Sequence, residues 1–364
     1  MAWHSAGTRA RSFQGGDMAP ALDERRAAIL NAIVQDYVRG GEPVGSKRLV
    51  EEWNLGVSPA TVRSDMAALE EAGLITHPHT SAGRIPTDAG YRHFVDGLTA
   101  TEPLRSEQAA ALENLLMGSP DLEELLRRTS SVLSRLTRFA ALVVAPRLDR
   151  SRLRHIELVH LAPTSVLAVL IVDTGRVEKR MLELDAPVAE HDVQRARHAI
   201  NDAAANLPVA QAPDVVAGVA AGAPAEVRPL IEAVAAAVRK GLASAMAGDQ
   251  LFVGGSANMA GGGYFERLEQ VKSVFETLEE QVVVLQVLRE ALEDDPAVRI
   301  GTELPLVELA ACSVVAARYS ATGGSGGTVG VLGPTRMDYP RTLAAVQAVA
   351  SSLEKALAEL TGAS

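Results

Sequence analysis

Between Asp23 and Arg39 the apolar residues Ile29, Leu30, Ile33, Val34, Tyr37 and Val38 recur at intervals of three and four, the period of a helix with one buried face. Gly40-Gly41 closes it. In the segment GSKRLVEEW, Leu49, Val50 and Trp53 supply a second short apolar face, Ser46 is placed to cap it, and Asn54-Leu55-Gly56 makes a turn. The next stretch, VSPATVRSDMAALEEAG, carries its own punctuation. Ser58 is an N-cap, Pro59 takes the first helical position, where a missing N–H costs nothing, and Gly73 is a stop. Three helices with a tight turn between the second and third predict a helix-turn-helix.

On the third helix Val62, Met66 and Leu69 share one face, so Ala60, Thr61, Ser64 and, on the flank, Arg63 point away from the core. Small, hydrogen-bonding side chains are what a helix lying in a major groove requires. Leu74-Ile75-Thr76 predicts a short strand, and PHTSAGRIPT the hairpin tip beyond it. This is a wing, with Arg84 placed for a phosphate or a narrow minor groove.

Helical patterning continues from 88 to 136, and at Phe139 the period changes to two. ALVVAP, LRHIELVHLAP and SVLAVLIVDTGRVEKRMLEL read as strands, with Asp173-Thr174-Gly175 as a hairpin turn. The Ala-rich segment from about 190 to 250 is helical, as is 264–294. LAACSVVAARYS and GGTVGVLGPT predict a second hairpin, and Tyr339 to Leu360 a closing helix. Strands on both sides of a helical block predict an α+β fold in which one domain is interrupted by an insertion. The expected divisions are 1–20, a disordered extension in which Met18 would serve equally well as a start; 21–98, a winged-helix DNA-binding domain; and 99–138, a helical connector. An α/β domain follows in two parts, 139–190 and 251–364, split by a helical insertion at 191–250.

Composition narrows the function. At 364 residues with 47% apolar, the chain suits two or three domains. No uninterrupted apolar run approaches the roughly 18 residues of a membrane span, and the N-terminus has no apolar signal core, so a soluble, cytoplasmic protein is expected. Cys312 is the one cysteine, which excludes an internal disulfide and a cysteine-based metal site. The net charge is −10, and residues 1–98 hold 10 Lys or Arg against 12 Asp or Glu. Any DNA binding must therefore rest on a local cluster of cations.

Other motifs read more plainly as structure. His77 and His79 have no acidic or cysteine partner nearby and read as surface histidines near phosphate. GGSANMAGGGY lacks the lysine of a phosphate loop and reads as a loop. Cys312, inside an apolar strand, reads as a small hydrophobe. In GPTRMDY, Gly-Pro makes a turn, and Arg336 and Asp338 are placed to pair or to cap the following helix. No catalytic residue, metal or cofactor is expected.

The stretch EPVGSKRLVEEWNLGVSPATVRSDMAALEEAGLITHPHTSAGRIPTDAGYRHFVD closely resembles the N-terminal region of the HrcA family of heat-inducible transcription repressors. PVGSK, SPATVRSDM, LEEAGLI, the PHTSAGRIPT wing and GYR carry the likeness, and IGTE, CSVV at 312–315 and GPTRMDY extend it towards the C-terminus. The resemblance implies a winged helix-turn-helix followed by a GAF-like α/β domain interrupted by a helical dimerisation insertion. It also implies a homodimer that binds double-stranded DNA at an inverted-repeat operator, CIRCE, and represses chaperone operons, with the chaperonin GroEL keeping the repressor active. On that reading Ser46, Lys47 and Arg48 grip the DNA backbone. Ser58, Ala60, Thr61, Arg63 and Ser64 form the reading face, and His77, Thr80, Ser81 and Arg84 extend the contact from the wing. Ser64 stands where the family commonly has Asn. Asn258-Met259-Ala260, Gly263-Tyr264-Phe265 and Leu304-Pro305 also depart from the family pattern. Two rivals remain: a regulator that senses a small molecule in its GAF-like domain, and an enzyme using Cys312 as nucleophile.

Overall fold

The structure is a computed structural model that describes residues 22–78, 83–98, 103–146, 151–246, 250–260, 264–265, 268–291, 297–321 and 326–362. The chain divides between Gly97 and Leu98 into two units.

The N-terminal unit is a winged helix. Helix α1 (Glu24–Gly40) starts where the Asp23 carboxylate accepts from Arg26 N–H and ends at Gly41, whose φ of +71° suits glycine. Helix α2 (Ser46–Glu52) begins at Gly45 without a side-chain cap, so Ser46 does not perform the capping expected of it. Helix α3 (Pro59–Glu71) is capped as predicted by Ser58, with Pro59 in its first turn. Strands β1 (Ile75–Thr76) and β2 (Ile85–Pro86) pair antiparallel, and helix α4 (Asp88–Asp96) follows, its start capped by Thr87. A Cβ on Gly90 would sit 2.0 Å from the Leu74 carbonyl oxygen, so α4 can lie against the residue that leads into β1 only because position 90 is glycine. Ile29, Ile33, Val62, Leu69, Ile75 and Phe94 are among the buried residues that form the core.

Two buried carboxylates bind the helices together. Asp65, on the inner side of α3, accepts from Arg25 Nε at 2.8 Å, Arg25 Nη2 at 3.1 Å and Arg26 Nε at 3.4 Å. These arginine hydrogen bonds outweigh the burial and hold the Asp65 carboxyl below the usual carboxylate range. Asp36 of α1 meets Arg48 of α2 at 3.0 Å; here burial dominates and pushes the carboxyl up, partly offset by the Arg48 charge.

The larger unit contains a five-stranded antiparallel sheet, order β7-β3-β10-β9-β8. Its strands are β3 (Ala140–Val144), β7 (Leu251–Gly254), β8 (Ala297–Ile300), β9 (Cys312–Ser320) and β10 (Gly326–Pro334). Consecutive residues of β3 and β9 are buried, so the sheet is covered on both faces and its strands read as unbroken apolar runs. Helices α6 (Leu122–Thr137) and α12 (Tyr339–Thr361) pack against it, and α5 (Ser106–Leu116) packs on these two helices. Residues 106–137, expected to lie in a connector, are thus packed onto this α/β unit. The helical pattern at 264–294 breaks at Glu280 into α10 (Leu268–Glu279) and α11 (Gln281–Ala291). Asp338 caps α12 through Arg341 N–H, and Arg336 instead lies over the Tyr264 ring at 5.4 Å.

Between β3 and β7 the sheet is interrupted by more than the helical segment expected at 191–250. Strands β4 (Leu153–Ala162), β5 (Ser165–Val172) and β6 (Val177–Glu183) form a separate three-stranded meander. With α7 (Glu190–Ala204), α8 (Ala212–Gly222) and α9 (Arg228–Met246) it encloses a core of its own that runs from Leu153 to Val238. Of the strands expected at 139–190, only β3 joins the five-stranded sheet. Hairpin-linked strands pair with each other first, and the one apolar face of the meander is matched by α7 to α9. Asn201 of α7 seals the β4 edge, accepting from Ile156 N at 2.8 Å and donating to Ile156 O at 2.7 Å. Among the described residues no helix is long and apolar enough to cross a membrane.

Because the folded carboxyl of Asp65 titrates below its unfolded value, it adds stability above the ordinary carboxylate pKa and loses it as pH falls through the depressed one. Replacing Asp65 with Asn should lower the stability of the N-terminal unit by about 1–2 kcal/mol at pH 7. Denaturant melts across pH should show the gap between variant and wild type closing below about pH 4.

Candidate nucleic-acid interface

Helix α3 projects its outer side because the inner side is fully used. Val62, Asp65, Met66 and Leu69 are buried, whereas Ser58, Ala60, Arg63, Ser64 and Ala67 are exposed. The exposed row starts at the helix N-terminus, where free N–H groups and small side chains let a phosphate or base edge approach. Thr61 is half-buried, and its hydroxyl lies 3.0 Å from that of Ser58, which also accepts from Thr61 N–H at 3.2 Å. One of the two base-reading hydroxyls expected here is thus partly committed to the cap.

Cations reach this surface unevenly. Lys47 and Arg63 are exposed, and among the described residues neither forms an ion pair. Arg48, expected on the DNA backbone, spends its guanidinium on Asp36 at 3.0 Å and Glu52 at 3.1 Å, holding α2 to α1. Arg39 stacks over the Trp53 ring at 5.3 Å.

The wing differs most from expectation. Arg84 is not at a hairpin tip but at its foot, where its backbone bridges Val44. Its side chain meets Glu70 of α3 at 2.8 Å and His77 Nδ1 at 2.9 Å, and only 20% of it is exposed. His77, expected near phosphate, is exposed but tied into this cluster. Thr80, Ser81 and His79 lie outside the described residues.

Sequence reasoning missed Asp65, Asp36 and Glu70, which position the reading helix and its neighbours. Asp65 had left a signal: it falls three residues after Val62 and four before Leu69, on the apolar side, where a carboxylate implies a partner. Glu70 left none, since its partner lies across the wing.

In the larger unit the Cys312 side chain is fully buried, and burial pushes the thiol up to about 12. A thiol so placed is not a nucleophile. GGSANMAGGGY is structural where described: Ser256–Ala260 forms a short 3₁₀ turn, and Asn258 donates to Ser134 Oγ at 2.9 Å. An apolar cleft of about 550 Å³, lined by His198, Val219, Val227 and Ile231 among others, belongs to the insertion and not to the GAF-like sheet.

A capped reading helix with an exposed polar row, preceded by a tight turn and followed by a two-stranded wing, defines the N-terminal unit as the DNA-binding module of a winged-helix transcription regulator. Residues 32–87 match the family model of the DeoR-like helix-turn-helix domain, and residues 123–343 that of the HrcA protein C terminal domain. The heat-inducible transcription repressor HrcA of Acidothermus cellulolyticus is 46% identical over 341 residues, spanning 93% of this chain and 99% of that protein. That of Streptomyces avermitilis is 46% identical over 338 residues, with the same shares of 93% and 99%. The crystal structure of a hypothetical protein shares the fold, with a TM-score of 0.66 at 20% identity, over 93% of this chain and 100% of that one. The chain belongs to the HrcA family.

Ellman's reagent should leave Cys312 unlabelled in the native protein and react with one thiol per chain in denaturant. Rapid native labelling would contradict the buried, protonated thiol.

Proposed function

We propose that this chain represses heat-shock chaperone genes by binding, as a homodimer, an inverted-repeat operator of the CIRCE type through α3. The observation that carries this reading is the exposed row of Ser58, Ala60, Arg63 and Ser64 on the outer side of α3, in a chain of the HrcA family. Ser64 and the accessible part of Thr61 face base edges, and Arg63 reaches a base or the adjacent phosphate. Lys47, with Ser46 beside it, contacts the backbone and sets the register without reading sequence. Thr80 and Ser81 continue the contact from the wing. With two cations per protomer outside ion pairs on this surface among the described residues, the logarithmic salt slope should be about −4, far shallower than that of a protein neutralising ten phosphates.

Two-fold symmetry of the operator requires two-fold symmetry of the protein. The outward face of the three-stranded meander supports a homodimer. Val159, Leu167 and Met181 stand in one cross-strand row, and Ile171 and Val177 in another. Val159, Leu161, Val177 and Met181 are 40–54% exposed. The row of Glu157, Val169 and Lys179 lies between these two rows. An exposed apolar surface marks an association site, and a second copy of the chain is the occupant that a two-fold operator calls for. Heat inactivation then follows from marginal stability. A dimer a few kcal/mol above unfolding loses its active form over a small temperature rise, and a chaperonin such as GroEL, which refolds it, restores repression.

Fluorescence anisotropy tests this with a labelled inverted-repeat operator and a scrambled duplex of equal length, at two salt concentrations and rising temperature. The expected result is a preference of about a thousandfold or more for the operator, lost near heat-shock temperature and recovered with chaperonin. Replacing Arg63 with Ala should cost about 1–3 kcal/mol on the operator and relax specificity. Equal weak binding to both duplexes overturns the operator reading and favours the small-molecule-responsive regulator, recognised by thermal stabilisation with a metabolite. Leu167→Glu should convert dimer to monomer in sedimentation velocity and weaken operator binding; a dimer that persists places the interface elsewhere.

A further inference from the structure

Arg84 is built into a closed cluster. Its Nη2 lies 2.8 Å from Glu70 Oε2, and its Nη1 donates to His77 Nδ1 at 2.9 Å. An arginine can only donate, so His77 Nδ1 must carry the lone pair and the ring proton sits on Nε2. That nitrogen is 3.4 Å from Glu70 Oε1, which closes the ring of three side chains. The backbone reinforces it: Arg84 N–H donates to Val44 O at 2.9 Å, and Val44 N–H donates to Arg84 O at 2.8 Å. The approach is so close that a Cβ on Gly83 would stand 2.5 Å from the Val44 carbonyl oxygen. The chain entering the wing at His77 and the chain leaving it at Arg84 are thus both tied to the last turn of α3, and the second also to the segment leading into α2.

We infer that Glu70, Arg84 and His77 form a latch that fixes the wing relative to the reading helix, and that Arg84 is a positioning residue rather than a DNA ligand. The inference rests on the reading that α3 and the wing meet DNA together. Charge supports it: if Arg84 turned to a phosphate, Glu70 would be left unneutralised beside a polyanion, and the attraction gained would be offset by repulsion.

The two roles give opposite signs for one substitution. Glu70→Gln removes a negative charge from the DNA-facing unit, so a free Arg84 would bind DNA equally well or better in that variant. The latch instead predicts operator binding about tenfold weaker. Arg84→Gln should weaken it by a similar factor, and the double variant should be no weaker than the worse single one, because both remove the same interaction. Arg84→Lys keeps a cation for a phosphate but replaces the two-nitrogen fork with a single ammonium, so it should also lose affinity. Binding is read by anisotropy on the full chain, with circular dichroism to check folding. Amide hydrogen exchange in the DNA-free protein gives a readout independent of the operator: protection at Val44 and Arg84 should fall in all the variants. If Glu70→Gln binds as well as wild type or better, or if exchange at these two amides does not change, the latch is wrong. If wild type shows no operator preference, the proposed function fails, and the exchange result alone upholds or overturns the latch.

Discussion

The carboxylate of Asp65, buried on the inner side of α3 and held by Arg25 and Arg26 of α1, helps to fix which side of that helix is left exposed. An apolar contact in its place would hold the helices together without directed bonds. A carboxylate that accepts several directed hydrogen bonds fixes the rotation as well as the distance. With Val62, Met66 and Leu69 facing the same core, the arc of exposed residues follows from helix geometry. The Asp36–Arg48 pair does the same for α2. Arginines that a count of charges would assign to DNA are thus paired with carboxylates of the same unit.

This explains how an acidic chain can carry a DNA-reading module. Among its described residues the unit has few cations outside ion pairs, so on the proposed reading its specificity comes from hydrogen bonds and shape at α3 rather than from a dense positive field. It also explains why the wing arginine sits against α3. A wing attached only by the two short strands β1 and β2 would be free to hinge, and a side-chain latch at its foot limits that freedom.

Much of the N-terminal unit was legible because its signals are local. Ser58, Pro59 and Gly41 mark helix ends within a few residues of themselves, and the spacing of Ile29, Ile33, Val62 and Leu69 identifies buried faces. What the sequence did not disclose depends on partners far away in the chain. Leu153 to Glu183 alternates as any half-buried strand would, and nothing in that period says whether the strands join the sheet of β3 or form their own. Only the apolar faces of α7 to α9 decide it. Arg84 looked free because Glu70, fourteen residues earlier, is an unremarkable acidic residue in a helix until the chain turns back. The pairing of Arg48 was hidden for the same reason, its partner Asp36 lying on another helix.

The central claim is that the outer side of α3 lies in the major groove of two symmetry-related half-sites. An iron chelate attached through Ala67→Cys, with the buried Cys312 left in place, tests it by cutting the DNA nearest to that side of the helix. The account predicts two clusters of cleavage, facing the major groove and related by the two-fold axis of the operator. Specific binding with cutting confined to the flanks, or to one half-site, would contradict it.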